Sequence, residues 1–117
     1  MVLKKIGREK TMNYTEIMDI AQWQQILASS NEQPIIVFKH STTCPISAAA
    51  YREFTSAKYE HAYLVKVIEQ RNVSNEIAKD LQVQHASPQV IVIQNGQATW
   101  QATHFHIKAS ALNEALA

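Results

Sequence analysis

The sequence has little cysteine, glycine or proline: one cysteine, two glycines and three prolines in 117 residues. A single cysteine excludes an internal disulfide, and a lone thiol suits a reducing compartment better than secretion, so we expect a cytoplasmic protein. The scarcity of glycine and proline excludes collagen-like and low-complexity chains. A hydrophobic content of 46% is enough instead to build a core in one domain of ordinary size.

The sequence also has almost no net charge, since it contains eleven basic and ten acidic residues. This balance gives no electrostatic footprint for nucleic acid or an anionic membrane, so we expect neither as a partner. No apolar run approaches the roughly 18–20 residues of a membrane-spanning helix. The basic N-terminal residues are not followed by the apolar segment of a secretory signal. With a second methionine at Met12, we expect residues 1–11 to be a disordered extension and residues 12–117 to form the domain.

The apolar pattern alternates between strand and helix spacing in the order βαβαβαββα. Strands are predicted at residues 12–17, 35–38, 63–68, 89–94 and 98–103. Helices are predicted to begin at Asp19, after Cys44 and at Ser74, and a last helix covers residues 107–116. Strands separated by helices pair in parallel, and the Asn95-Gly96 turn adds an antiparallel hairpin. We therefore predict an α/β fold with a mixed central sheet and helices on both faces.

Cys44 lies where a buried strand gives way to a helix, and Pro45 suits the first helical position. The sulfur then faces free backbone N–H groups and the positive end of the helix dipole, which favour thiolate over thiol. His40 lies just upstream and is expected to add positive potential, whereas Lys39 alternates away from the site. The alternative is an inert buried cysteine that acts as a small hydrophobe; the Thr-Cys-Pro context favours the reactive thiol.

Ser47 follows Cys44 by three residues, so one helical turn brings the two side chains together. A dithiol oxidoreductase would have its resolving cysteine at this position, a role that serine cannot take. The hydroxyl can donate a hydrogen bond to the Cys44 sulfur, or it can satisfy the backbone as an ordinary serine of the helix's N-terminal turn, and the spacing does not decide.

Pro88 follows Ser87 at the start of a predicted strand. A trans peptide is ordinary at such a place, whereas a cis peptide presents the neighbouring backbone to an extended substrate. The five histidines form no HExxH motif. His104 and His106 share one face of the last predicted strand, but a surface or packing role is favoured over metal binding, and we expect no metal site.

Residues 38–47, followed by Ser87-Pro88-Gln89 and Asn95-Gly96, closely resemble the YtxJ-like monothiol bacilliredoxins. The resemblance covers about Met12 to the C-terminus and is carried mainly by Lys-His-Ser followed by Thr-Cys-Pro-Ile-Ser. It implies a thioredoxin fold, with Cys44 at the start of the active-site helix and a cis Pro88 opposite. The expected site residues are a catalytic Cys44, thiolate-stabilising Pro45, Ser47 and His40, and substrate-binding Thr43, Ser87 and Pro88.

The resemblance also implies a substrate class, namely proteins that carry bacillithiol in a mixed disulfide. By analogy, the Cys44 thiolate attacks this disulfide, releases the reduced client and retains bacillithiol. Free bacillithiol or another redoxin then regenerates the thiol. Bacillithiol is thus expected as a thiol co-substrate, with no bound cofactor, and the protein is expected to be a monomer.

Two other functions stay open. Iron–sulfur carriers among the monothiol glutaredoxins have a similar Cys-Gly-Phe-Ser site, but Pro45 replaces their glycine and stiffens the backbone that a cluster approaches. A stress-related thiol sensor or adaptor would instead be modified at Cys44 without turnover.

Overall fold

The computed structural model describes residues 14–117, so our prediction for residues 1–11 lies outside the described residues. The elements follow the predicted order βαβαβαββα. The strands are β1 (Thr15–Glu16), β2 (Ile35–His40), β3 (Ala62–Lys66), β4 (Gln89–Gln94) and β5 (Gln97–Thr103). The helices are α1 (Ile20–Ser29), α2 (Pro45–Ser56), α3 (Arg71–Leu81) and α4 (Ala109–Leu116), with a 3₁₀ helix at His104–His106. None of the helices in the described part of the chain is long and apolar enough to cross a membrane.

The five strands form one mixed sheet in the order β1-β3-β2-β4-β5. The first three neighbours, β1, β3 and β2, run parallel, and β4 and β5 are added antiparallel. β2 lies in the centre of the sheet and is buried from Ile35 to Lys39, as a continuous apolar run predicts. Asn95 and Gly96 both have positive φ angles, which the tight β4–β5 turn requires. The predicted mixed α/β architecture is confirmed.

Helices cover both faces of the sheet and give two buried clusters. On one face, α2 and α4 pack against β2 residues such as Phe38, which meets Phe54 of α2. On the other face, α1 and α3 pack around Trp23, which is fully buried. Side chains alternate along a strand, so His40 lies on the α2 face and Lys39 on the α3 face of the same strand.

Two local predictions are wrong. Helix α3 begins at Arg71 rather than Ser74, and the Ser74 N–H donates within the first turn to the Gln70 carbonyl at 3.0 Å. Ser74 is therefore buried inside the helix and does not cap it. His104 and His106 do not share a strand face, because β5 ends before them. His104 has a φ of 52°, which turns the chain out of the strand and into the 3₁₀ helix.

Candidate active site

Cys44 is the N-cap residue of α2 and lies just after the C-terminal end of β2. Its backbone is extended, with φ −100° and ψ 125°, and Pro45 follows in the first helical turn. The Cys44 N–H donates to the Ser41 carbonyl at 3.2 Å, and the Cys44 carbonyl accepts from the Ala48 N–H at 2.9 Å. The half-buried thiol makes no capping hydrogen bond. The backbone therefore holds a sulfur beside the positive end of α2 without engaging it.

Ser47 is fully buried and joins the first turn of α2 to the end of β2. Its Oγ lies 2.7 Å from His40 Nδ1 and accepts a hydrogen bond from the Ser41 N–H at 2.9 Å. Of the two contacts predicted for this hydroxyl, the bond to the Cys44 sulfur is not found within residues 14–117, whereas a bond to the backbone is formed with the Ser41 N–H. Ser47 instead fixes the turn of residues 41–44 against the strand that precedes it.

The His40 imidazole is held in an aromatic stack. Its centroid lies 5.3 Å from the Phe38 ring and 5.2 Å from the Tyr51 ring, with interplanar angles of 25° and 26°. Burial, and after it the charge of Lys66, lowers the pKa of His40 from its ordinary value of 6.5. The lowered pKa weakens the positive potential that His40 is expected to add beside the thiol, which stays a prediction. The contact that the ring makes in the site is with Ser47.

Replacing Ser47 with alanine is expected to lower the free energy of unfolding by about 1–3 kcal/mol, because His40 Nδ1 and the Ser41 N–H lose their shared partner. Urea denaturation measures the change. Ser56→Ala is the matched control, since Ser56 lies in the same helix with an exposed side chain that bonds only the Arg52 carbonyl. The control is expected to change stability by less than about 0.5 kcal/mol. Equal losses in the two variants would show that Ser47 is an ordinary helix serine.

The Ser87-Pro88 peptide is cis, as the family resemblance implies. Lys39 of β2 lies opposite Gln89 of β4 in the antiparallel register. The next residues, His40 and Pro88, therefore lie at the same end of the sheet, where β2 leads into the active-site turn. The structure thus places the Ser87-Pro88 segment at the same end of the sheet as Cys44. The substrate-binding roles of Thr43, Ser87 and Pro88 stay predictions.

The 3₁₀ helix extends this end of the sheet. Its His104 N–H donates to the Pro88 carbonyl at 3.1 Å, and it borders a pocket of about 110 Å³ that Ile46 and Ala49 of α2 also line. Phe105 is 67% exposed here. Sequence reasoning considered only the two flanking histidines and missed Phe105, because a single aromatic residue after a strand carries no local signal. The Ser87 hydroxyl is buried and has no hydrogen-bond partner in the described part of the chain.

Lys39 points away from the thiol, as predicted. It is fully buried on the α3 face of the sheet, and its Nζ donates to the Ser74 carbonyl at 3.1 Å. The same Nζ lies 3.1 Å from Nδ1 of His85, in the segment before Pro88. Sequence reasoning did not foresee these contacts, since neither Ser74 nor His85 is near Lys39 along the chain. No group of three metal-ligating side chains is found among residues 14–117.

Comparisons with known proteins agree with this geometry. Residues 15–112 match the family model described as monothiol bacilliredoxin BrxC. A solved structure described as a proposed oxidoreductase with a thioredoxin fold is 36% identical, with a TM-score of 0.79 over 87% of this chain and 92% of that chain. The Malassezia sympodialis thioredoxin is 18% identical, with a TM-score of 0.69 over 90% and 89% of the two chains. The Nicotiana alata thioredoxin NaTrxh is 20% identical, with a TM-score of 0.68 over 89% and 90%. The predicted thioredoxin fold is confirmed.

Proposed function

Because the chain belongs to the monothiol bacilliredoxin family, we propose that it removes bacillithiol from S-bacillithiolated proteins through a mixed disulfide on Cys44. A thiol redox role follows from the family and the oxidoreductase fold. The observation that carries the finer proposal is the Cys44 sulfur, half-buried and free of capping bonds at the N-terminus of α2. A lone, half-buried thiol of this kind suits a reducing compartment, for which we propose the cytoplasm.

The proposed reaction has two thiol–disulfide exchanges. In the first, the Cys44 thiolate attacks the bacillithiol sulfur of the client disulfide. The bond between Cys44 and bacillithiol forms as the bond to the client breaks, and the client thiolate leaves and takes a proton from water. The positive end of α2 stabilises the attacking thiolate.

The second exchange needs a thiol from outside the chain, since Cys44 is the single cysteine of the sequence. Free bacillithiol or a reduced redoxin attacks the mixed disulfide and leaves joined to the bacillithiol that it removes. The external thiol is oxidised, and the Cys44 thiolate is restored. The buried Ser47 takes the place of a resolving cysteine and keeps the reaction in this monothiol form.

Intact mass spectrometry tests the first exchange. Reduced protein mixed with a bacillithiol-modified client is expected to gain one bacillithiol while the client loses it, and Cys44→Ala is expected to gain none. Ser41→Ala is a useful control, since it alters a neighbouring side chain and leaves the thiol in place. A client that keeps its bacillithiol, although a chemical reductant removes it, would contradict the proposal. Visible absorbance after anaerobic reconstitution with iron and sulfide would then favour the iron–sulfur carrier.

A further inference from the structure

Lys39 is a buried cation on the face of the sheet opposite the thiol. Its side chain is fully buried, and the surrounding cluster is apolar, with Val37 beside it on β2 and Val73 on α3. The salt bridges found among residues 14–117 involve other lysines and histidines, so no carboxylate pairs with this ammonium. A buried charge without a counter-ion is unfavourable unless its own contacts offset the loss of water. The role of Lys39 therefore depends on those contacts.

The contacts of Lys39 also settle the state of His85. An ammonium group only donates, so His85 Nδ1 accepts and the ring proton lies on Nε2. Ser74 Oγ lies 3.3 Å from the same nitrogen and is able to donate to it as well. Partial burial, and then the charges of Lys39 and Arg71, lowers the pKa of His85 from 6.5, although the residue as a whole is exposed. The neutral ring therefore predominates at pH 7, with Lys39 on β2 and Arg71 on α3 as the charged groups that face it.

His85 belongs to residues 84–88, the last part of the connection from α3 to β4, which ends in the Ser87-Pro88 peptide. Gln89 holds this segment, since its Nε2 donates to the Gln84 carbonyl at 3.2 Å and its Oε1 accepts from the Ala86 N–H at 3.3 Å. Lys39 holds it at a second point through His85. Lys39 and Gln89 are direct cross-strand partners, so one rung of the β2–β4 ladder fixes the whole segment.

We propose that Lys39 and His85 are positioning residues that hold residues 84–88 as the docking wall for the disulfide substrate. They act through the backbone of the Ser87-Pro88 segment and do not touch the reacting sulfurs. An apolar residue at position 39 cannot donate to His85. The segment would then keep the two Gln89 bonds, the Ser74 Oγ contact with His85 and the bond from the His104 N–H to the Pro88 carbonyl. This inference rests on the proposed function, because it names the part of the site that binds the client.

Lys39→Met and His85→Ala are expected to raise KM for a bacillithiol-modified client about tenfold, as loss of one charge-assisted hydrogen bond implies. The value of kcat is expected to stay within about twofold, because the docked segment binds the client equally well in the ground state and in the transition state. Alkylation of Cys44 by iodoacetamide, a small reagent that needs no docking wall, is expected to stay within about twofold of wild type.

His85→Asn separates positioning from a purely structural role. The asparagine amide oxygen accepts from Lys39 in place of Nδ1 but does not titrate. We expect a wild-type KM at pH 7 for this variant. In the wild type, KM is expected to rise as the pH falls through the lowered pKa of His85, where the ring takes up a proton and Nδ1 stops accepting. That rise is expected to be absent in His85→Asn, and His40 titrates equally in both proteins.

Amide hydrogen exchange gives a second readout that needs no client. The Ala86 N–H is expected to exchange about tenfold faster in Lys39→Met and His85→Ala, but not in His85→Asn. Unchanged amide exchange and unchanged KM in Lys39→Met would overturn the positioning role. An equal rise in KM at low pH in His85→Asn and wild type would overturn it as well. A wild-type protein that transfers no bacillithiol contradicts the proposed function instead, and the exchange rates still decide whether Lys39 holds the segment.

Discussion

Replacing Phe38 with alanine is expected to lower the free energy of unfolding by about 3–5 kcal/mol. Phe38 is fully buried in the middle of β2, and its ring stacks on Phe54 of α2 with centroids 4.9 Å apart. A close-packed core closes only partly around a lost ring, so the variant keeps a cavity between the sheet and α2. Because small domains are stable by about 5–15 kcal/mol in total, this one side chain accounts for a large share.

The same substitution is expected to reach the active site through His40. Phe38 and Tyr51 both lie against the imidazole, with centroids 5.3 Å and 5.2 Å from it and 6.5 Å from each other. Burial is the main cause that lowers the pKa of His40, so removing one cover should raise that pKa back toward 6.5. Urea denaturation measures the stability, and an NMR titration of the imidazole proton measures the pKa.

Phe38→Leu is the control for this prediction, since it retains an apolar side chain that still covers part of the ring. It is expected to cost about 1–2 kcal/mol and to shift the pKa of His40 by less than alanine does. A loss below about 2 kcal/mol in Phe38→Ala would mean that α2 moves in to fill the space. An unchanged His40 pKa would mean that Tyr51 and the sheet bury the ring without Phe38.

Element order and type were predictable because each long element has one clear apolar period. The unbroken apolar run that starts at Ile35 predicted a central strand, and it is buried on both faces. The strand-to-helix switch at Cys44-Pro45 predicted an N-cap cysteine, and Cys44 caps α2. The Asn95-Gly96 pair predicted the hairpin that joins β4 to β5. In each case local geometry and burial favour the same structure, so the sequence pattern is sufficient.

What the sequence missed at Ser74, Lys39 and His40 involves contacts between segments distant in the chain. Ser74 has the chemistry of a helix cap, but one more turn of α3 buries Val73 completely and gives Lys39 a carbonyl partner. The Lys39–His85 contact joins residues 46 positions apart, which no periodicity encodes. The lowered pKa of His40 depends likewise on burial against Tyr51 of α2. The sequence therefore predicts where the thiol lies, whereas the contacts that hold its surroundings need the fold.

Lys39→Met is expected to raise the free energy of unfolding by about 1–3 kcal/mol at pH 7. Burial lowers the pKa of Lys39 from 10.5 to about 8, so the folded state disfavours a proton that the unfolded chain keeps. Methionine fills a similar volume without a charge. The substitution leaves little unsatisfied, because the Ser74 carbonyl lies within α3 and His85 is exposed enough to turn to water.

The stability gained in Lys39→Met is expected to depend on pH through the pKa of Lys39. Below pH 8 both states bind the proton, so the cost of burying the charge is fully present in the wild type. Between pH 8 and 10.5 the unfolded chain binds more protons than the folded one, so wild-type stability rises and the advantage of Lys39→Met shrinks. Urea denaturation at pH 7 and pH 9 measures both, with the exposed Lys79→Met as a control expected to change by less than about 0.5 kcal/mol.

If Lys39→Met is more stable than wild type but has a higher KM for the client, Lys39 serves client binding at a cost in stability. The two effects have opposite signs only if the ammonium is unfavourable to the fold and useful to the segment of residues 84–88. If Lys39→Met is instead less stable than wild type at pH 7, the contacts with Ser74 and His85 outweigh the burial of the charge. Lys39 would then be a structural residue, and any rise in KM would follow from a loosened core rather than from a lost docking wall.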